Sequence, residues 1–278
     1  MSAKYTRKQP FLKRIHENPK VVALETVLLP ILFGIILILL WQTQVLHRWM
    51  HTDTFTLPLP SRIHSIIGDN IGKIMTNVWA TVIVAVVGLL SGSLLGYGLA
   101  VLASMFPKWC KSQITIVAAF NAIPIVALAP VMTNLTKDFS KDANTRSMLA
   151  KILVVMIVCM ANMSINAFRG LTELKPYAED LMKSLAAKKF TVLVKLRIPN
   201  SVPYIFTALK VAVPSSVISA LVSEYFAEYI TGVGRQIREN IVLAQYSAAW
   251  AYIVAACLIG IVLYAILMII QKLVMKKR

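Results

Sequence analysis

Long uncharged apolar runs alternate along this chain with short segments that carry almost all of its charge. A run of about 20 apolar residues is long enough to cross the hydrocarbon of a bilayer as a helix. Six stretches meet or approach that length and predict six spans: Thr26 to Leu46, Ile74 to Phe106, Ser112 to Thr136, Ile152 to Phe168, Pro199 to Ser223 and Tyr246 to Ile270. Lipid offers no water to backbone N–H and C=O groups, so each span is expected to be helical and the fold class is an all-α membrane protein. The second run, 33 residues without a charge, is long enough to tilt or extend beyond the membrane. The third is interrupted by Pro124 and Pro130, and the fourth is short. No small-residue cleavage site follows the first run, which is therefore read as a retained span.

Composition sharpens this picture. Hydrophobic residues make up 58% of the chain and charged residues 15%, whereas soluble domains carry roughly 25% charge. The net charge of +17 would suit nucleic acid, but its distribution fits membrane orientation instead. Of the 29 Lys and Arg, 19 fall before the first span, at Lys108 and Lys111, between Arg169 and Arg197, and after Gln271. Nine lie in the alternate loops, and Lys210 lies inside the fifth span. That bias places both termini and the 169–197 segment in the cytoplasm. Trp41, Trp49, Trp79, Trp109 and Trp250 fall near span ends, where amphipathic rings favour the headgroup region. A single transmembrane domain results: a cytoplasmic tail over 1–25, spans over 26–168, a cytoplasmic loop over 169–198, spans over 199–270 and a basic tail over 271–278.

Catalytic chemistry is not expected. Gly68, Gly72, Lys73 and Ile74 lack the spacing and the hydroxyl of a phosphate-cradling loop. His47 and His51 are four apart, with His64 beyond, but no acidic or cysteine cluster stands nearby, so they read as solvated loop residues and no metal site is assigned. Cys110, Cys159 and Cys257 read as small core hydrophobes. Gly88, Gly92 and Gly96 line one helix face with small side chains, allowing another backbone to approach, from this chain or a second copy. Asn121 and Pro124 mark a helix break that either lines a solute route or is a packing kink. Ser216, Ser219 and Glu224 are candidate pathway or gate groups; Glu224, near the external end of its span, reads alternatively as an interfacial paired carboxylate. Lys210 reads as a snorkelling side chain.

The 169–202 segment carries spaced apolar residues at Leu181, Leu185, Phe190, Leu193 and Leu196 among seven basic and three acidic ones, which predicts short amphipathic helices rather than a slack linker. Pro176 suits the start of the first, with Glu179 and Asp180 favourably placed in its opening turn. The alternative reading is that this basic loop simply contacts anionic lipid heads. Asp180-Leu181-Met182, three residues, Ala186, nine residues and Leu196-Arg197-Ile198-Pro199 resemble the E-A-A-x3-G-x9-I-x-L-P loop of binding-protein-dependent ABC importer permeases. The similarity continues through Asn200 to Tyr204, Ala208 to Ala212, Ser223 to Phe226 and Gly232-Val233-Gly234. Leu57 to Ser61 and Ala122 to Pro130 look like the nitrate, sulfonate, taurine and pyrimidine-precursor branch. Asp180 stands where the family has Glu, Leu181 and Met182 where it has two alanines, and Ala186 where it has Gly. Residues 136–151 look longer than the usual external loop.

The resemblance implies a type I importer permease in a bacterial plasma (inner) membrane, with Glu179, Asp180, Leu181, Met182, Leu185, Ala186, Ala187, Phe190, Leu196, Ile198 and Pro199 as the ATPase-coupling loop. It implies as partners two ABC ATP-binding subunits, an extracytoplasmic substrate-binding protein or lipoprotein, and a second permease copy, in a homodimer or heterodimer. Membrane lipid and a small polar solute complete the set, without nucleic acid. The chain would need no cofactor of its own, since ATP and Mg would sit on the partner. An ion-coupled secondary transporter and a non-transporting scaffold are the alternatives; paired mid-membrane charges and two similar halves, which the first would carry, are not evident in the sequence.

Overall fold

A computed structural model of the chain describes residues 19–106, 116–117, 119–227 and 231–276. Lys108, Trp109, Cys110, Lys111, the basic residues before position 19 and the last two residues lie outside them. Two compact units divide at Ser65. The first holds α1 (Pro19–Gln42), with Pro30 inside it, and α2 (Val45–Met50). Gln42 ends α1 by accepting the Ser61 N–H and donating to the Ser61 hydroxyl, both at 3.1 Å. His47 is not solvated: it is buried, with Nε2 2.6 Å from the Leu57 carbonyl oxygen.

After α3 (Pro60–Asp69) the second unit runs through α4 (Ile71–Met105), a 3-10 turn (Phe120–Ala122), α5 (Ile125–Leu135) and α6 (Ala143–Thr172). Then follow α7 (Ala178–Ser184), α8 (Lys189–Val192), one turn of π-helix (Leu193–Arg197), α9 (Ile198–Tyr225), α10 (Val233–Val242) and α11 (Tyr246–Lys276). Four helices among the described residues are long and apolar enough to cross a membrane: α4, α6, the continuous 189–225 stretch ending in α9, and α11. Leu28–Gln42 and α5 are shorter apolar helices.

The helix bounds correct several expectations. The fourth run is not short: α6 has 30 residues, about 45 Å, because Arg146 and Lys151 belong to its first turns rather than to a loop. The connection before it is correspondingly brief. Asp142 ends that connection and caps α6, accepting the Asn144 and Thr145 N–H groups. Bonds from Thr145 hold its carboxyl below the usual range. The second run starts at Ile71 and the sixth continues to Lys276.

Helix α6 lies against α4, α5 and α9. Its seam with α4 is the glycine face: a Cβ at Gly88 would meet the Val155 side chain, at Gly92 the Met156 carbonyl, and at Gly96 the Met160 carbonyl. The partner of these glycines is therefore within the same chain. Ala161 and Ala167 on α6 and Ala208, Ala212 and Ala220 on α9 are equally buried, so this side of α6 also packs through small groups. Met163, Leu171, Leu193 and Ala100 close the cluster toward the α7 end. Cys159 is buried there, whereas Cys257 is exposed on α11.

Gly92→Val forces α4 away from the Met156 carbonyl and is expected to destabilise by about 1–3 kcal/mol, the usual cost of overpacking. Gly98→Val, at a position with nothing within 4 Å of an added Cβ, should melt like the parent. Thermal unfolding in detergent compares them.

Candidate functional site

Two polar constructions occupy opposite ends of α9. At its C-terminal end, Glu224 is fully buried. Its Oε2 accepts the Thr81 hydroxyl of α4 and the Gly234 N–H of α10, both at 2.9 Å. Thr81 in turn accepts the Val233 N–H at 2.9 Å, and Asn77, one turn earlier, accepts the Gly232 N–H at 2.9 Å. Lys151 of α6, also buried, donates to the Thr231 carbonyl at 3.1 Å and lies near enough to Glu224 to attract it. Three successive amides of the 232–234 turn are thus held by side chains from α4 and α9. Glycine is needed at the turn on two grounds: Gly232 has φ of +116°, and a Cβ there would strike the Glu224 carboxylate. A Cβ at Gly234 would strike the Leu221 carbonyl.

The sequence reading singled out Glu224 but missed Asn77, Thr81 and Lys151. A legible signal existed: Asn77 and Thr81 are four apart on a mostly apolar helix, which puts them on one face. Ser216 and Ser219 share the buried side of α9. Ser216 donates to the Val213 carbonyl, and the Ser219 hydroxyl is buried without a partner. The exposed stripe of α9 is instead Pro203, Thr207, Val211, Pro214 and Ile218. Pro124 is the N-cap of α5, which packs on α6 and α9. Asn121 lies in the preceding 3-10 turn, apart from the Glu224 group in sequence and element.

At the other end, α7 carries Glu179 and Asp180 in its first turn and starts two residues after Pro176. Glu179 binds Arg197 at 2.9 Å, and Arg197 also donates to the Ser104 carbonyl at the end of α4, at 2.6 Å. One guanidinium therefore joins α7, the π turn and α4. Asp180 accepts from Lys183 at 3.0 Å, which holds the Lys183 ammonium above its usual pKa. Helix α7 ends in a Schellman arrangement, with Ala187 N–H on the Met182 carbonyl (3.0 Å) and Ala186 N–H on the Lys183 carbonyl (2.9 Å). Ala186 has φ of +49°, so the alanine occupies the left-handed position that glycine fills without strain. Tyr177, Leu181, Leu185 and Phe190 are 61–83% exposed and form an uncovered apolar surface, while Leu196, Ile198 and Pro199 are half-buried where the segment enters α9. Asn200 ties that entry to α6 through bonds to the Gly170 and Glu173 carbonyls.

Residues 92–278 match the family model described as "Binding-protein-dependent transport system inner membrane component". The chain is 26% identical over 197 residues to the formylaminopyrimidine transport permease protein ThiX of Halalkalibacterium halodurans, covering 70% of this chain and 74% of that protein. It is 24% identical over 197 residues to a probable ABC transporter permease protein of Haemophilus influenzae, covering 70% and 76%.

Glu224→Ala strips buried acceptors from the Gly234 N–H and the Thr81 hydroxyl, and each orphaned polar group costs about 1–3 kcal/mol. Melting should fall further than in Thr81→Val, and amide exchange at 231–234 should accelerate in both, while Ser219→Ala, which removes an unpartnered hydroxyl, should not melt lower. Ala186→Gly relieves the left-handed alanine and is expected to slow amide exchange across 178–187, by about five-fold for about 1 kcal/mol.

Proposed function

Because the chain belongs to the family of binding-protein-dependent transport system inner membrane components, we propose that it is the permease subunit of an ATP-driven importer whose α7 segment is the handle for a separate ATPase. It is a multi-pass membrane transport subunit, and the finer reading extends that. Six crossings arise when α1 and the α5 region are added to the four long helices, with both termini cytoplasmic as the charge bias indicates. The chain is then one transmembrane domain of a bacterial plasma membrane. It works with two ATP-binding subunits, which hold ATP and Mg, and with a second permease copy. An extracytoplasmic binding protein or lipoprotein delivers the solute.

The observation that carries this reading is the linkage at Arg197. An amphipathic helix with exposed Leu181, and with Tyr177 and Leu185 at its two ends, is clamped by one guanidinium to the end of α4 and, after the turn at Ala186, is followed by the continuous 189–225 helical stretch that ends in α9. A push on α7 would be delivered to two spans as a rigid-body movement. The 232–234 knot at the far end of α9 would carry the same movement to α10. Solute would pass along the exposed stripe of α9 facing the second copy, with Asn121 and Pro124 at the neighbouring break. Similarity to the formylaminopyrimidine permease of Halalkalibacterium halodurans favours a pyrimidine precursor within the range of nitrate, sulfonates, taurine and riboflavin-like solutes.

Leu181→Asp combined with Leu185→Asp places charge on the exposed face of α7 without touching its internal bonds. The purified variant should lose co-isolation of the ATPase and all binding-protein-dependent uptake while melting like the parent. Full ATP-coupled uptake by that variant would remove α7 as the handle, and absence of ATP-dependent uptake by the parent with its ATPase and binding protein would remove the importer reading. Arg197→Ala should keep the ATPase bound but lower uptake per ATP hydrolysed, as read by parallel uptake and phosphate-release assays.

A further inference from the structure

We propose that Lys210 and Lys272 form a binding site for an anionic phospholipid in the groove between α9 and α11. The groove has a volume of about 490 Å³ and is lined by Lys210, Met268, Ile269, Gln271, Lys272 and Met275. It contains two cations and no carboxylate. Three other described cations, Lys183, Arg197 and Arg235, are paired with Asp180, Glu179 and Glu239, whereas no carboxylate lines this groove. The groove thus presents uncompensated positive charge beside an apolar wall.

Its depth identifies the ligand class. Lys210 sits beside the last two turns of α11, where the uncharged run is broken by Gln271 and Lys272 and, after Leu273, Val274 and Met275, by Lys276, Lys277 and Arg278. This is the level at which hydrocarbon meets headgroups, and basic pockets between spans at that level bind lipid phosphates. Met268, Ile269 and Met275 are 38–60% exposed, and the pliable thioethers suit an acyl chain. Gln271 Oε1 is buried without a partner, an acceptor suited to a headgroup hydroxyl. The phosphodiester bridges Lys210 and Lys272, one acyl chain follows the methionine wall, and a glycerol-type headgroup donates to Gln271. This site requires only that the chain spans a membrane, so it survives the failure of the importer reading.

Native mass spectrometry of the full-length, delipidated chain, titrated with dioleoyl phosphatidylglycerol or dioleoyl phosphatidylcholine, tests it. Each Lys→Gln change should weaken phosphatidylglycerol binding about five-fold, and the double variant K210Q/K272Q about 25-fold. Phosphatidylcholine binding should be weaker and unchanged by the substitutions, and K210R/K272R should restore phosphatidylglycerol. Gln271→Leu should lower phosphatidylglycerol binding but leave dioleoyl phosphatidic acid, which lacks the headgroup hydroxyls, unaffected. Millimolar inorganic phosphate should not displace the lipid. Equal phosphatidylglycerol binding by parent and double variant overturns the site, as does equal retention of phosphatidylcholine or displacement by phosphate alone. A change in uptake KM or in oligomeric state in Lys210→Gln with lipid binding intact would assign the lysine to the solute route or to a second copy instead. If the glutamine variants melt lower, recovery of lipid binding in the arginine pair decides.

Discussion

Helices in hydrocarbon gain little by covering one another with leucine, because lipid tails are as apolar as the side chains they replace. What remains is close packing, and the α4–α6 seam supplies it. At Gly88, Gly92 and Gly96 the backbone of α4 lies so near α6 that no Cβ fits at any of the three. Alanines continue the principle from α6 to α9, and the two polar constructions are hung on the bundle that these contacts define. Were the seam wider, Asn77 and Thr81 could not meet the 232–234 turn, nor could Ser104 offer its carbonyl to Arg197.

The two ends of α9 are built by opposite means. At the Glu224 end a carboxyl group is fully buried, with one oxygen accepting the Thr81 hydroxyl and the Gly234 amide while Asn77 and Thr81 hold the two preceding amides, an arrangement that tolerates little rearrangement because every partner lost is an uncompensated group. At the Arg197 end, the ion pair is partly exposed, the helix is two turns long, and its apolar residues are uncovered. One end is enclosed, and the other is tethered at Arg197 with its apolar side chains exposed. The contrast gives the long helix one end locked by buried polar groups and one end held at a single partly exposed ion pair.

Much of this was legible in the residues. Uncharged runs marked the four long helices, because the composition rule for a span acts on every residue within it. The glycine spacing announced a tight face but not its owner, since a stripe of small residues is silent about which helix it meets. Charge misled at α6: Arg146 and Lys151 resembled a loop, yet Lys151 reaches a carbonyl 80 residues away, and no local pattern encodes such a distant acceptor. His47 failed for the same reason, its partner being the Leu57 carbonyl. At Ala186, where the resembling family loop has glycine, the Schellman bonds hold the alanine in a left-handed turn against its own preference. The 232–234 motif was visible as glycine, but its cause, a carboxylate pressed against the α-carbon, is entirely tertiary.

The Glu224 knot also fixes an order of assembly. Thr81 and Asn77 emerge from the ribosome some 150 residues before the amides they hold, and Lys151 precedes its acceptor by 80. During synthesis α4 and α6 must therefore reside in or beside the insertion machinery with these polar groups still waiting. Only when the segment past Gly234 arrives can they be withdrawn from water or from the translocon. Maturation of this subunit is gated by its own C-terminal third, and a nascent chain truncated before that point would leave a lysine and a glutamate for membrane quality control to find.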